Sequence, residues 1–340
     1  MPLSSGGRTY TDQLTRLLLD EATDNIPLLL ELIAGSGVNE RIKGYLFGIA
    51  VFYPTRPVAD RALQLLRQYA GTDTLRQAEK LREGAAYHYN DAEYLGKYRN
   101  PEFDIFDFVL AHKMCLWHRH KGERSPMAMA AHSTLDLTHY PESHLPETLA
   151  TLSFVRYLTL PAHRDFQIEP SIPVLHQMNI EGLYAENVRM EVFPFSLLQL
   201  PRLRILSLKK GTHRPKGPLF VPEAAREQGS TTLQQLEMDG YPLSGHEWAG
   251  ALPALRSVSL TRCTLPNLSF LAQSPLLEAV TLRQNGLQEL PGFFSRLSHL
   301  RSLHISDNPL RSIHIQLEDM PFLEALEITP FATKTHKSKP

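Results

Sequence analysis

The stretch Leu255-x-x-Val258-x-Leu260-x-x-Cys263-x-Leu265, then Leu277-x-x-Val280-x-Leu282-x-x-Asn285-x-Leu287, then Leu300-x-x-Leu303-x-Ile305-x-x-Asn308-x-Leu310, writes one pattern three times at steps of 22 and 23 residues. Repetition at such a period marks a chain built from stacked supersecondary units. The fourth and sixth positions alternate with polar neighbours as a strand's residues do. A small hydrogen-bonding residue, Cys263, Asn285 or Asn308, then stands where each strand must turn. One such unit cannot bury its own apolar face, so the units must stack.

These residues resemble the leucine-rich repeat family, whose pattern L-x-x-L-x-L-x-x-N/C-x-L they match almost position for position. The resemblance implies an α/β solenoid, a horseshoe with a parallel sheet on its concave side, and a role in protein–protein recognition. Aligning first-position residues upstream gives His132, Val155, Leu175, Leu203, Leu233, Leu255, Leu277, Leu300 and Leu323, hence nine strands at steps of 23, 20, 28, 30, 22, 22, 23 and 23. Only the 30-residue unit lies outside the family's range of about 20–29. The Asn/Cys position upstream holds Tyr140, His163, Leu183, Gly211 and Tyr241, so the match is strongest over 255–328. Leu145-Pro146-Glu147-Thr148-Leu149 and Leu290-Pro291-Gly292-Phe293-Phe294 match the convex-side return and support the register in both halves.

Before residue 125 the periodicity is helical. Leu14, Leu17 and Leu18 share one helix face. Asn25 opens a second helix with Pro27 in its first turn, where the missing N–H costs nothing. A third helix from Asn39 buries Ile42, Leu46, Ile49 and Ala50, and a fourth, from Pro57 to Gly71, carries Val58, Ala62, Leu65, Leu66 and Tyr69. A fifth spans 74–84, and an aromatic segment with Tyr87, Tyr89, Tyr94, Tyr98, Phe103, Phe106 and Phe108 leads into a last helix over 104–120. The paired helices are faintly similar to HEAT-type repeats. Gly122 and the polar run to Pro126 mark a boundary, giving a helical domain over 1–125, a repeat domain over 126–330 and a basic tail over 331–340.

Composition narrows the function. Thirty-five basic against 36 acidic residues leave a net charge of −1, which argues against a dedicated nucleic-acid binder. The N-terminus lacks the charged start and apolar run of a secretion signal, and no apolar stretch is long enough to span a bilayer. With only Cys115 and Cys263 and no cysteine-rich cap, a reducing, cytoplasmic setting is expected.

The outward strand residues should line the binding surface. The central column reads Asp136, Thr159, Asn179, Ser207, Glu237, Ser259, Thr281, His304 and Glu327, flanked by Arg204, Arg256, Arg283 and Arg301 and by Glu181, Asp239, Glu278 and Glu324. The candidate concave-face residues are Arg204, Ser207, Glu237, Arg256, Ser259, Thr281, Arg283, Arg301, His304 and Glu327. Their mixed charge gives no single-sign groove, and Tyr157 is the one large aromatic nearby. A second candidate is the 209–217 loop, with Lys209, Lys210, His213, Arg214 and Lys216, followed by apolar Leu219-Phe220-Val221. Such a loop on a rigid scaffold suits recognition of phosphate or an acidic peptide.

Two other classes compete with an adaptor, inhibitor or targeting subunit. Cys115 has His112 and His118 one helical turn away on either side, the residue types of a thiol enzyme or a metal site. A buried cysteine among core aromatics is more often inert packing, and three side chains on one helix seldom complete a tetrahedral site. The acidic Glu102, Asp104 and Asp107 suit a helix N-terminus better than a cation site. No phosphate-loop, zinc-protease, nucleophile-elbow or dinucleotide motif occurs. The sequence therefore reads as a non-enzyme without cofactor or metal. The other competitor is a nucleic-acid-associated protein using the basic loop and tail.

Overall fold

A computed structural model of the chain describes residues 6–20, 24–84, 100–120, 130, 132–210, 219–245, 248–264 and 268–330. It divides into two compact units, one of residues 1–141 and 146–158, the other of residues 142–145 and 159–340. The unit that holds the helices therefore runs past residue 125 and takes in the start of the repeats. The tail over 331–340 and Tyr87, Tyr89, Tyr94 and Tyr98 lie outside the described residues.

In the first unit, helices α1 (Gly6–Leu18), α2 (Ile26–Ser36), α3 (Glu40–Phe52), α4 (Arg56–Tyr69), α5 (Thr72–Gly84) and α6 (Ile105–His120) follow the apolar periodicity. The Asn39 side chain caps α3 by accepting from the Ile42 N–H at 2.9 Å, filling one of the four donor vacancies of a helix start. From Gly44 to Phe52 every residue of α3 is buried, so α3 is the central helix around which α4, α5 and α6 pack. Gly44 and Gly48 are what let α6 approach. A Cβ on Gly48 would fall 2.7 Å from the Ala111 Cβ and 2.9 Å from the Phe108 carbonyl oxygen. Around this contact Phe47 packs on Phe103 and Phe108, with ring centres 5.1 and 5.3 Å apart.

Beside the helices lie the first strands, β1 (Thr134–Asp136) and β2 (Tyr157–Thr159). The buried Lys113 of α6 donates to the Thr134 carbonyl at 2.7 Å. Trp117 stacks on both His132 and Phe154, at 5.0 and 5.2 Å. These contacts tie the last helix to the first repeats.

Nine strands form one parallel ladder, in chain order β1, β2, β3 (Gly182–Glu186), β4 (Ile205–Lys209), β6 (Gln235–Asp239), β8 (Ser257–Thr261), β9 (Ala279–Arg283), β11 (Ser302–Asn308) and β13 (Ala325–Pro330). The fold is thus a leucine-rich repeat solenoid with an α-helical region before it. The return path of the second unit carries short 3-10 turns such as Phe195–Gln199, Ser269–Gln273 and Gly292–Arg296. It also carries two small parallel pairs, β5 (Leu219–Val221) with β7 (Leu243–Gly245) and β10 (Glu289–Leu290) with β12 (Ser312–Ile313). Buried Phe193, Phe195, Trp248 and Phe270 stack along this side, Trp248 on Phe270 at 4.6 Å.

One repeat departs from the sequence alignment. Leu175 lies in the short helix α7 (Ile172–Gln177), and the third strand begins at Gly182. Its first-position residue is Ile180, with Leu183 and Ala185 buried in the core. The neighbouring steps become 25 and 23 residues, and Tyr184, not Asn179, stands in the central column opposite Ser207.

Candidate functional site

The strand ends are held by a ladder of side chains. Asn308 accepts from the Asn285 N–H at 2.9 Å and donates to the Leu282 carbonyl at 2.9 Å. Asn285 does the same one repeat earlier, accepting from the Cys263 N–H at 2.8 Å and donating to the Leu260 carbonyl at 2.8 Å. Cys263 continues it more weakly, its thiol donating to the Met238 carbonyl at 3.4 Å. Each buried amide thereby satisfies backbone groups that the bend would leave bare. Tyr241 occupies the same position but reaches farther. Its hydroxyl donates to the Val188 carbonyl at 2.8 Å, across the whole intervening repeat.

Just before that position the backbone turns left-handed, with φ of 59° at Asn187, 76° at Gly240, 55° at Arg262, 54° at Gln284 and 55° at Asp307. These five are the eighth residues of their repeats. Asn, Asp and Gly adopt this region at little cost, whereas Arg262 and Gln284 enter it at a cost of about 1 kcal/mol each. In the later repeats the turn sets Arg262 against Asp239 and Asp307 against Arg283, each on an adjacent strand.

Two rows of ion pairs result. At the strand starts, Arg204 faces Glu181 at 3.7 Å, Arg256 is in close contact with Glu278, and Arg301 faces Glu324 at 2.8 Å. At the strand ends, Lys209 pairs with Glu237 at 3.0 Å, Arg262 with Asp239 at 2.6 Å and Arg283 with Asp307 at 3.1 Å. Exposed pairs of this kind contribute roughly 0–1 kcal/mol apiece. Their larger effect is to leave no unbalanced row of one sign. In the central column Ser207 donates to Glu237 at 2.9 Å, and His304 meets Glu327 at 3.1 Å.

Between the two rows, from β8 to β11, the floor is made of small side chains. Ser257, Ala279 and Ser302 stand in register, as do Ser259, Thr281 and the larger His304 that closes the row on β11, all of them half-buried. Across three strands at about 4.8 Å spacing this trough is about 10 Å wide. Of the ten residues named from the sequence, Ser259, Thr281 and His304 lie on this floor, Arg256, Arg283 and Arg301 on its borders, and Arg204, Ser207, Glu237 and Glu327 on or beside the strands to either side. Sequence reasoning missed Arg262 and Asp307, which complete the second row, and Tyr184. The left-handed turn recruits the first two, and a Gly, Asn or Asp one residue before the Asn/Cys position is its only trace in the sequence.

The loop candidate is only partly placed. Lys209 is held by Glu237, and the Lys210 side chain packs over Gly240; His213, Arg214 and Lys216 lie outside the described residues. Of the apolar residues that follow, Leu219 and Val221 are core, and Phe220 alone is exposed.

Cys115 is fully buried, and loss of solvent pushes its thiol pKa up, the reverse of an activated thiolate. Among the described residues no cluster of His, Cys, Asp and Glu is arranged to hold a metal ion. Glu102 takes hydrogen bonds from the Thr74 hydroxyl and, at 2.9 Å, from the Gly71 N–H, and an ion pair from Lys43 at 3.0 Å. Asp104 caps α6 at the Phe106 N–H, 2.8 Å away.

No protein-family model matches the chain, and no curated protein matches it. Among solved structures, it is similar to a leucine-rich repeat protein of Leptospira interrogans, at 20% identity and a TM-score of 0.40 over 57% of this chain and 53% of that one. The chain spans about half the length of that protein. It is also similar to the leucine-rich repeat domain of the type III effector XopL, at 17% identity and a TM-score of 0.39 over 76% and 94%. A third is internalin C2 from Listeria monocytogenes, at 14% identity and a TM-score of 0.41 over 60% and 83%. The asparagine ladder, the repeat register and the parallel sheet of this chain are themselves those of a leucine-rich repeat solenoid. Among the described residues no helix is long and apolar enough to cross a membrane.

Proposed function

We propose that this protein is a recognition module, an adaptor, inhibitor or targeting subunit, that lays an extended segment of a protein partner across the trough from β8 to β11. The observation that carries this reading is the floor of Ser257, Ser259, Ala279, Thr281 and Ser302 between two rows of ion pairs. Small hydroxyl side chains admit a polypeptide backbone closely and offer it donors and acceptors. The bordering charges are of both signs, so they select register and discriminate between partners more than they add affinity. Two free, buried cysteines support residence in a reducing compartment such as the cytoplasm.

The test is quantitative capture from the native cell extract with the wild type, Thr281→Trp and Ser259→Arg. A partner retained by the wild type and reduced at least tenfold with both variants, whose melting curves match the wild type, supports the trough. A partner held equally by all three removes it.

A further inference from the structure

Along the return side, successive repeats join by parallel pairing at equivalent places: Val192 bridges Phe220, β5 pairs with β7, and β10 pairs with β12. Between the second and third repeats this pairing is interrupted. Gln167 donates backward to the Ser143 carbonyl at 2.8 Å, and between residues 164–170 and 189–194 lies an open cleft of about 690 Å³. That is within the range of ligand pockets, about 300–1,000 Å³.

The cleft has an unused rung. The Phe220 N–H donates to the Glu191 carbonyl at 2.8 Å, and the Phe193 N–H donates to the Phe220 carbonyl at 3.1 Å. In a parallel ladder the residue between two such bonds turns its own N–H and C=O the other way. The backbone groups of Val192 therefore face the second repeat, and among the described residues they have no backbone partner. Val192 is itself 47% exposed, beside Phe166, Met190 and Pro194 on the cleft wall. The charges are uneven. Arg164 pairs with Asp165 at 3.6 Å and Arg189 with Glu191 at 2.7 Å, whereas Glu169 accepts only from the Ser196 hydroxyl, at 3.0 and 3.1 Å, among the described residues.

We propose that this cleft accepts a strand from a partner protein, an extended segment with an apolar residue against Val192 and Phe166 and a basic residue reaching Glu169. The Val192 N–H and C=O supply the main-chain pairing, as in other edge-strand additions. The occupant is basic because, among the described residues, Glu169 is the one cleft carboxylate without a cation. This surface is separate from the trough on the concave sheet.

The probe is a fluorescein-labelled peptide, acetyl-Thr-Lys-Val-Thr-Val-Thr-Val-Lys-Thr-amide, titrated with the full chain and read by polarisation. The expected result is saturable binding that slows hydrogen exchange of the Val192 amide and weakens at least tenfold in Val192→Pro. That substitution removes the N–H and the valine side chain together at a sheet edge, where proline is tolerated, so the urea midpoint should stay put. Glu169→Gln should weaken binding of this peptide but not of its norleucine-for-lysine counterpart, and Thr281→Trp should change neither. Absence of saturable binding would overturn the proposal, and so would binding that leaves the Val192 amide unprotected. Concentration-dependent self-association lost in Val192→Pro would give the cleft to a second copy of the chain and overturn it equally. If Val192→Pro shifts the urea midpoint, amide protection in the wild type decides.

Discussion

The Asn285 side chain ties its repeat to the one before it: its Oδ1 receives the Cys263 N–H and its Nδ2 donates to the Leu260 carbonyl, both at 2.8 Å. The residue is 1% exposed, so water cannot replace either bond. Asn285→Ala leaves one buried donor and one buried acceptor unmet, each worth about 1–3 kcal/mol. The expected loss in urea unfolding is about 2–5 kcal/mol on that basis. Cys263→Ala, which gives up only a weak thiol donor and some packing, should lose clearly less. Equal losses would refute the ladder as the main source of stability at these turns.

The contact of α3 with α6 predicts a contrast between two glycines. Gly48→Ala places a methyl group 2.7 Å from the Ala111 Cβ, and overpacking of this kind costs about 1–3 kcal/mol. Gly35, near the end of α2, has open space where a methyl group would sit, with nothing within 4 Å. Gly35→Ala should therefore stabilise by up to about 1 kcal/mol through helix propensity. Thermal melts of the two variants test the pair of signs.

Two buried groups should pull stability in opposite directions with pH. Burial raises the Asp107 carboxyl from 3.8 to about 7, against the lowering pull of Arg41 at 3.3 Å. The folded state then binds the extra proton between about pH 4 and 7, so this contribution falls as pH rises through that window. Burial lowers His132, stacked on Trp117, from 6.5 to about 4. There the unfolded state binds the extra proton, so this contribution is present above about pH 6.5 and is lost as pH falls toward 4. Asp107→Asn should therefore leave a stability that rises from about pH 4 to 6.5, and His132→Phe one that falls from about pH 4 to 7. Urea midpoints at four pH values across that window measure both, and a flat Asp107→Asn profile would contradict the His132 assignment.

Thiol reactivity separates packing from chemistry at Cys115. Both cysteines are fully buried, and burial pushes the Cys263 thiol up to about 12 and raises Cys115 as well. A disulfide dye should find no thiol in the native protein at neutral pH and both cysteines after urea unfolding. Rapid labelling of Cys115 in the native state would return the thiol-enzyme reading to consideration.

Most of the sheet is legible in the sequence because residues at positions one, four and six must fill a shared core whatever the partner. Eight first-position residues therefore align with strands, even where Tyr140 or His163 replaces asparagine. The third repeat is the exception, for a physical reason. Leu175, Met178 and Ile180 have the one-four-six spacing of a strand although Leu175 packs from a short helix, while the real strand puts Ala185 in a large-residue position. The trough is only half legible. Ser259 and Thr281 follow from strand alternation, but Arg262 and Asp307 reach the rim through a left-handed turn that Arg, Gln, Asn, Asp and Gly all adopt here. A backbone feature shared by such different side chains leaves little periodic trace.

The Tyr241 hydroxyl, bonded to the Val188 carbonyl over a separation of 53 residues, makes three repeats into one mechanical block. Pulled from its C-terminal end, a ladder of neighbour-only bonds should peel away repeat by repeat, in small steps. On reaching Tyr241 the peeling should pause and then release the block in one larger step, because the repeat with the longest insertion is clamped between its neighbours. In single-molecule extension traces, Tyr241→Phe should break that larger step into smaller ones, with the insertion-bearing repeat letting go by itself.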